Sequence, residues 1–92
     1  MRALVLGAGP IGLLGAMMAI SRNNEAVVYS REPADDARAR LLRSIGAEYI
    51  SAVDVPLDQL PTRGGPFDII FEAVGNAQVA FNALGALAPN GV

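Results

Sequence analysis

Apolar and polar positions along this chain fall into blocks whose lengths alternate between those of buried strands and those of helices. Ala3-Leu4-Val5-Leu6 is a short apolar run, as expected for a strand covered on both faces. From Pro10 to Arg22 the apolar residues, Ile11, Leu13, Leu14, Ala16, Met17, Met18, Ala19 and Ile20, lie on every side of a helix. A helix of that kind is covered all round, so something beyond these residues is expected on its second face. Ala26 to Tyr29 reads as a second buried strand. Ala34 to Ser44 reads as a second helix, with an apolar stripe of Ala34, Ala37, Leu41, Leu42 and Ile45. Its acids, Asp35 and Asp36, stand in the first turn and its arginines later, as the helix dipole favours, and Gly46 ends it. Glu48 to Ile50 is a brief third strand.

Residues 51–66 carry three prolines and two glycines and leave room for at most one helical turn, near Leu57 to Leu60. Phe67 to Ala73 is a fourth strand. Gly75-Asn76 turns the chain and caps a last helix, Ala77 to Leu87. Pro89-Asn90-Gly91 is a turn, and Val92 stands where a fifth strand is expected to start. Strands alternating with helices imply crossover connections and a parallel sheet. The expected strand order is 3-2-1-4, with its switch point between strands 1 and 4. Ligands of such sheets bind at the carboxyl ends of the strands beside that point. Three stretches fall on that edge: Gly7 to Gly12, Ser30-Arg31, and Ala73-Val74-Gly75.

The first of these is Gly7-Ala8-Gly9-Pro10-Ile11-Gly12, between an apolar strand and an apolar helix, which is the dinucleotide-binding fingerprint. Gly7 allows the tight turn, Gly9 lets backbone approach a pyrophosphate, and Gly12 lets the helix sit close on the strand. Pro10 suits the first helical position, where its missing N–H costs nothing. The helix N-terminus then offers free N–H groups and partial positive charge to the phosphates. The fold class is therefore α/β, a Rossmann-type doubly wound parallel sheet, truncated after its fourth strand.

Composition narrows the chemistry. Ninety-two residues make one small domain, and an apolar fraction of 52% suits a buried parallel sheet. A net charge of −2 without a basic cluster gives no support for nucleic acid or an anionic membrane as partner. There is no Cys and no His, and all seven basic residues are Arg. The chain thus has no thiolate or imidazole for zinc, no imidazole for proton transfer, and no lysine for a Walker loop. Catalytic groups are expected elsewhere. The uncharged run from Ala3 to Ile20 also fits a membrane span or secretory signal by hydropathy. Its four glycines and Pro10, and the strand–helix rhythm that needs it as a first unit, favour a soluble, cytoplasmic protein.

An NAD site places an acid at the end of strand 2, about 20 residues past the glycines, to bind ribose hydroxyls. Here that position is Ser30, followed by Arg31. A carboxylate repels a 2′-phosphate, whereas a hydroxyl and a guanidinium donate to it, so the pair favours NADP over NAD. Glu32, if turned inward, would bind ribose hydroxyls and permit NAD as well. Arg38 and Arg40 could assist the phosphate but read as surface charges. Absence of an acid at position 30 also argues against S-adenosylmethionine and FAD. Glu72, at the end of strand 4, has no proton-transfer partner in view and reads as orienting its loop.

These residues resemble the coenzyme domain of zinc-dependent medium-chain dehydrogenases/reductases. The likeness is carried by Leu4 to Gly12, by Leu42-Arg43-Ser44-Ile45-Gly46-Ala47, and by Phe67 to Gly75. Within that family they are most similar to microbial glucose 1-dehydrogenases, through Ser30-Arg31-Glu32-Pro33, Phe71 to Gly75 and Leu87 to Val92. The resemblance implies a parent enzyme that oxidises an aldose at its anomeric carbon and passes hydride to a nicotinamide. It implies that Gly7, Gly9, Pro10, Ile11 and Gly12 meet the pyrophosphate and that Ser30 and Arg31 meet the adenosine phosphate. Ala73, Val74 and Gly75 would line the ribose region. Residues 1–92 would be a partial NAD(P)-binding domain, without the catalytic domain that binds zinc and sugar, and not catalytic alone. Ser30 departs from the pattern, since these enzymes often carry a second arginine there, which bears on how strictly NADP is preferred. Self-association into a homo-oligomer is expected from the uncovered first helix and the open sheet edge. A cofactor-sensing domain without turnover, or another alcohol or polyol dehydrogenase of the same superfamily, are the alternatives.

Overall fold

A computed structural model describes residues 1–63 and 66–72. In chain order these form β1 (Arg2–Leu6), α1 (Pro10–Ser21), β2 (Glu25–Ser30), α2 (Ala37–Ser44) and β3 (Glu48–Ser51). A 3-10 turn (Leu57–Gln59), α3 (Leu60–Arg63) and β4 (Ile69–Glu72) follow. The strands make one sheet in the order β3-β2-β1-β4 with parallel neighbours, as the alternation predicts. The expected helix over 77–87, the turn over 89–91 and the strand beginning at 92 lie outside the described residues.

Both faces of β1 and β2 are buried, with successive side chains of each strand pointing to opposite sides. Leu4, Leu6, Val27 and Tyr29 pack on one side with Val55, Leu60 and Phe67. Val5 and Val28 pack on the other with Ala16 of α1, Ala39 and Leu42 of α2, and Tyr49. Helix α1 rests on the sheet through Gly12 and Ala16. Its other side leaves Ile11, Leu14, Met17 and Met18 exposed, by 47–61%. Gly15 makes room for the Phe71 ring, which a Cβ would meet at 3.0 Å.

Both longer helices end in the same device. The N–H of Asn24 donates to Ala19 and that of Asn23 to Ile20, with Asn23 at φ 62°. Ala47 donates to Leu42 and Gly46 to Arg43, with Gly46 at φ 99°. These are Schellman closures that turn the chain into the next strand.

Three expectations need correction. Helix α2 starts at Ala37 rather than 34, because Asp36 is its N-cap: the Asp36 carboxylate accepts from the Arg38 N–H at 2.9 Å. Both acids therefore precede the helix. The buried stripe of α2 is Ala39 and Leu42, while Ala37 and Leu41 are exposed. Ala39 is small enough to bring α2 close to Val28 and Tyr49. Finally, the 51–66 stretch holds more helix than one turn. Pro56 enters the 3-10 turn at φ −63°, and fully buried Leu60 anchors α3 to the core. Pro61 is harmless there, since a first-turn N–H has no intrahelical acceptor.

At the amino ends of the strands, Arg2 joins both neighbours of β1. Its N–H donates to Asp68 Oδ2 at 2.8 Å and its carbonyl accepts from the Asp68 N–H at 2.9 Å. Its guanidinium pairs with Glu25 at 2.9 Å.

The two tyrosines, both buried, tie the loops to the sheet. Tyr29 donates to the Val55 carbonyl at 2.6 Å, and Tyr49 to that of Glu32 at 2.7 Å. Burial, and then the Asp58 charge, raises the Tyr29 phenol above its ordinary value; burial, and then Glu32, raises Tyr49. Folding thus favours the protonated phenols. Stability from this source is fully present below about pH 10 and is lost as pH rises through the higher folded values. Urea midpoints should be flat to about pH 10 and fall beyond it, and the fall should be shallower in Tyr29→Phe. A midpoint that rose above pH 10 would contradict the assignment.

Candidate functional site

β1 delivers the chain into the glycine turn at the carboxyl edge of the sheet. Gly7 stands at φ 111°, a left-handed value that glycine adopts without strain, and its N–H donates to the Tyr29 carbonyl at 2.9 Å. Gly9 is the N-cap of α1, with Pro10 at the first helical position and no side chain capping the end. The Ile11 and Gly12 N–H groups precede the first intrahelical bond, Leu13 N–H to Gly9 O at 2.9 Å. No acid stands in the first turn of α1, so its positive dipole end is not neutralised there. A Cβ on Gly12 would lie 2.0 Å from the Gly7 carbonyl oxygen, whereas one on Gly9 would meet nothing within 4 Å. Helix and turn are therefore in backbone contact at Gly12, with open space above Gly9. That is the shape and polarity a linked pair of phosphates requires.

One residue beyond Tyr29, the Leu6 partner in the sheet, β2 ends at Ser30. Ser30 is buried, and its hydroxyl donates to Glu32 Oε2. The other Glu32 oxygen accepts from Arg38 Nη1 at 2.8 Å, and the Glu32 side chain is only 15% exposed. Arg38 Nε lies 3.7 Å from the Asp36 carboxylate. Arg31 is exposed and makes no hydrogen bond or ion pair among the described residues. A crevice of about 320 Å³ runs from the glycine turn to the first turn of α2, with Gly9, Pro10 and Leu13 on one side and Arg38, Leu41 and Leu42 on the other. At the end of β4, Glu72 stands level with Leu6 and is exposed. The stretch assigned to the ribose region, Ala73, Val74 and Gly75, lies outside the described residues.

The structure thus brings Gly7, Gly9, Pro10, Ile11 and Gly12 into one turn and sets Ser30 and Arg31 beside it. It also shows what the sequence left open: Glu32 turns inward and takes the Ser30 hydroxyl proton, which corrects the expectation that Ser30 donates to a 2′-phosphate. Arg38, read from the sequence as a surface charge, is the residue that holds it. The signal lay in Asp36, an N-cap residue that puts Arg38 in the first turn of α2, facing the end of β2. Tyr49, which fixes the Glu32 backbone from β3, gave no sequence signal beyond its place in a strand. Among the described residues no group of three His, Cys, Asp or Glu is placed to hold a metal, and no helix is long and apolar enough to cross a membrane.

Comparison with known proteins matches residues 1–92 to a family described as glucose dehydrogenase C-terminus. A glucose 1-dehydrogenase of Methanocella arvoryzae is 37% identical over 91 residues, covering 99% of this chain and 25% of that protein. Glucose 1-dehydrogenase 2 of Vulcanisaeta moutnovskia is 42% identical over 90 residues, covering 98% and 24%. Among solved structures, glucose dehydrogenase from Haloferax mediterranei in complex with NADP, Zn and gluconolactone superposes with a TM-score of 0.86 at 30% identity, over 98% of this chain and 26% of that one. The chain thus spans about a quarter of the length of the relatives it matches.

Proposed function

This chain belongs to the glucose dehydrogenase C-terminus family, and from that premise we propose that it is the NADP(H)-binding part of an oxidoreductase. The parent enzyme would pass hydride from an aldose to a nicotinamide, the cofactor supplying the hydride-accepting ring. Supporting this reading, the relatives are glucose 1-dehydrogenases, and one solved neighbour was captured with NADP, Zn and gluconolactone. Zinc and sugar would be held by a part of the parent protein beyond these residues. Gly7, Gly9, Pro10, Ile11 and Gly12 would receive the pyrophosphate, Ser30 and Arg31 would stand at the adenosine phosphate, and Ala73, Val74 and Gly75 would line the ribose region. We place the protein in the cytoplasm, as a homo-oligomer.

The observation that carries the cofactor assignment is the backbone contact at Gly12 with open space above Gly9, together with an exposed Arg31 that makes no hydrogen bond or ion pair among the described residues. Arg31→Ala should weaken NADP(H) binding by about 1.5–3 kcal/mol, roughly 10- to 150-fold, while NAD(H) changes by less than about threefold. Titration calorimetry with both cofactors checks this. Equal losses for the two would remove Arg31 from the phosphate site.

A further inference from the structure

We propose that Arg38, acting through Glu32, sets how the site discriminates between an adenosine ribose with and without a 2′-phosphate. The inference rests on the dinucleotide reading above and adds a residue that touches neither cofactor in that reading.

It follows from counting protons at the end of β2. An ionised carboxylate only accepts, so in the Ser30–Glu32 contact the hydroxyl must be the donor. A serine has one proton to give. With it committed to Glu32, Ser30 offers a ligand only lone pairs, and Glu32 adds further acceptors. A ribose 2′-hydroxyl can donate to either group. A 2′-phosphate meets the same two acceptors and takes its donor from Arg31. Buried Ser30 with Glu32 is therefore suited to a hydroxyl and exposed Arg31 to a phosphate, which gives a dual-cofactor site.

What keeps the two tendencies in balance is Arg38. Its guanidinium, 2.8 Å from Glu32 Oε1, screens the carboxylate and holds it over Ser30. The Asp36 cap fixes the first turn of α2 that carries Arg38, and the Tyr49 hydroxyl, 2.7 Å from the Glu32 carbonyl, fixes the backbone of the carboxylate. Two changes should then act in opposite senses. Glu32→Gln removes the charge and puts an amide N–H donor where only acceptors stood, so the NADP:NAD affinity ratio should rise about tenfold. Arg38→Met leaves the carboxylate unscreened beside the phosphate position, so the ratio should fall about tenfold. Arg38→Lys, which keeps the charge, should restore most of the ratio.

The test is titration calorimetry of NADP+ and NAD+ on the protein carrying this domain, with adenosine 2′,5′-bisphosphate and 5′-AMP as half-molecule probes. Circular dichroism of each variant establishes that it is folded. Opposite shifts of the ratio in Glu32→Gln and Arg38→Met, seen with the half-molecules as well, support the proposal. Equal factors for both cofactors, or shifts in the same direction, overturn it. Should Arg38→Met fail to fold, Glu32→Gln and Arg38→Lys decide alone: an unchanged ratio in the first, or a ratio in the second far below that of the unsubstituted protein, counts against it. If the unsubstituted protein binds neither NADP+ nor NAD+, the dinucleotide reading itself falls, and this proposal with it.

Discussion

Gly12→Ala is expected to destabilise the domain by about 3 kcal/mol or more, at or beyond the upper end of the usual cost of overpacking. The added Cβ would lie 2.0 Å from the Gly7 oxygen and 2.8 Å from its carbonyl carbon. Both are backbone atoms, so no side chain can rotate out of the way. Relief requires α1 to lift from the turn, which also pulls Ala16 out of the core cluster it shares with Val5 and Val28. For a domain of this size the loss corresponds to a melting temperature lower by about 12–24 °C. Gly9→Ala is the control. Its Cβ meets nothing within 4 Å and its φ of −74° suits alanine, so stability should change by about 1 kcal/mol or less. Dinucleotide affinity should nonetheless fall, because the methyl group occupies the space assigned to the phosphates. Thermal melts and calorimetry on the two variants separate the roles. If Gly12→Ala melted like the unsubstituted protein, the close approach of helix and turn would be refuted.

Phe67→Ala should cost about 3–5 kcal/mol. Among the described residues Phe67 is the largest fully buried side chain, and it packs in the cluster that holds Leu4, Leu6, Val27 and Leu60. The Arg2 guanidinium stands 5.6 Å from the centre of its ring. Removing the ring leaves a cavity between the sheet and α3 that neither can close without moving. Urea unfolding should show a lower midpoint, with the slope retained if unfolding stays two-state. Phe67→Leu, which preserves most of the volume, should cost less than about 1.5 kcal/mol. Equal midpoints for the Ala and Leu variants would mean that the ring does not fill the space assigned to it.

The fold was legible in the sequence because β1 and β2 are nearly unbroken apolar runs and the first two crossovers are distinct blocks. Strand order followed from that alternation and from the rules of parallel sheets. Helix α2 was less legible: Leu41 and Ala37 looked inward by spacing, but the cap at Asp36 sets the start of the helix, and Ala39 and Leu42 face the sheet. The glycine turn could be read residue by residue, since each glycine answers a separate backbone requirement. The end of β2 could not. Whether Glu32 points in or out depends on a partner six positions on, brought near by a helix that starts three residues later than the spacing suggests. Side-chain partnerships across a turn are decided by where the next element begins, and the local residues alone do not carry that information.

Because the four described strands run in one direction, the clasp of Arg2 with Glu25 and Asp68 sits at one rim of the sheet and the glycine turn with Ser30 at the other. The five residues of β1 separate the two by about 16 Å. Effects of substitutions at such separations are close to additive. Heat tolerance can therefore be adjusted at the first rim while cofactor choice drifts at the second. A lineage or an engineer can alter either trait without first repairing the other.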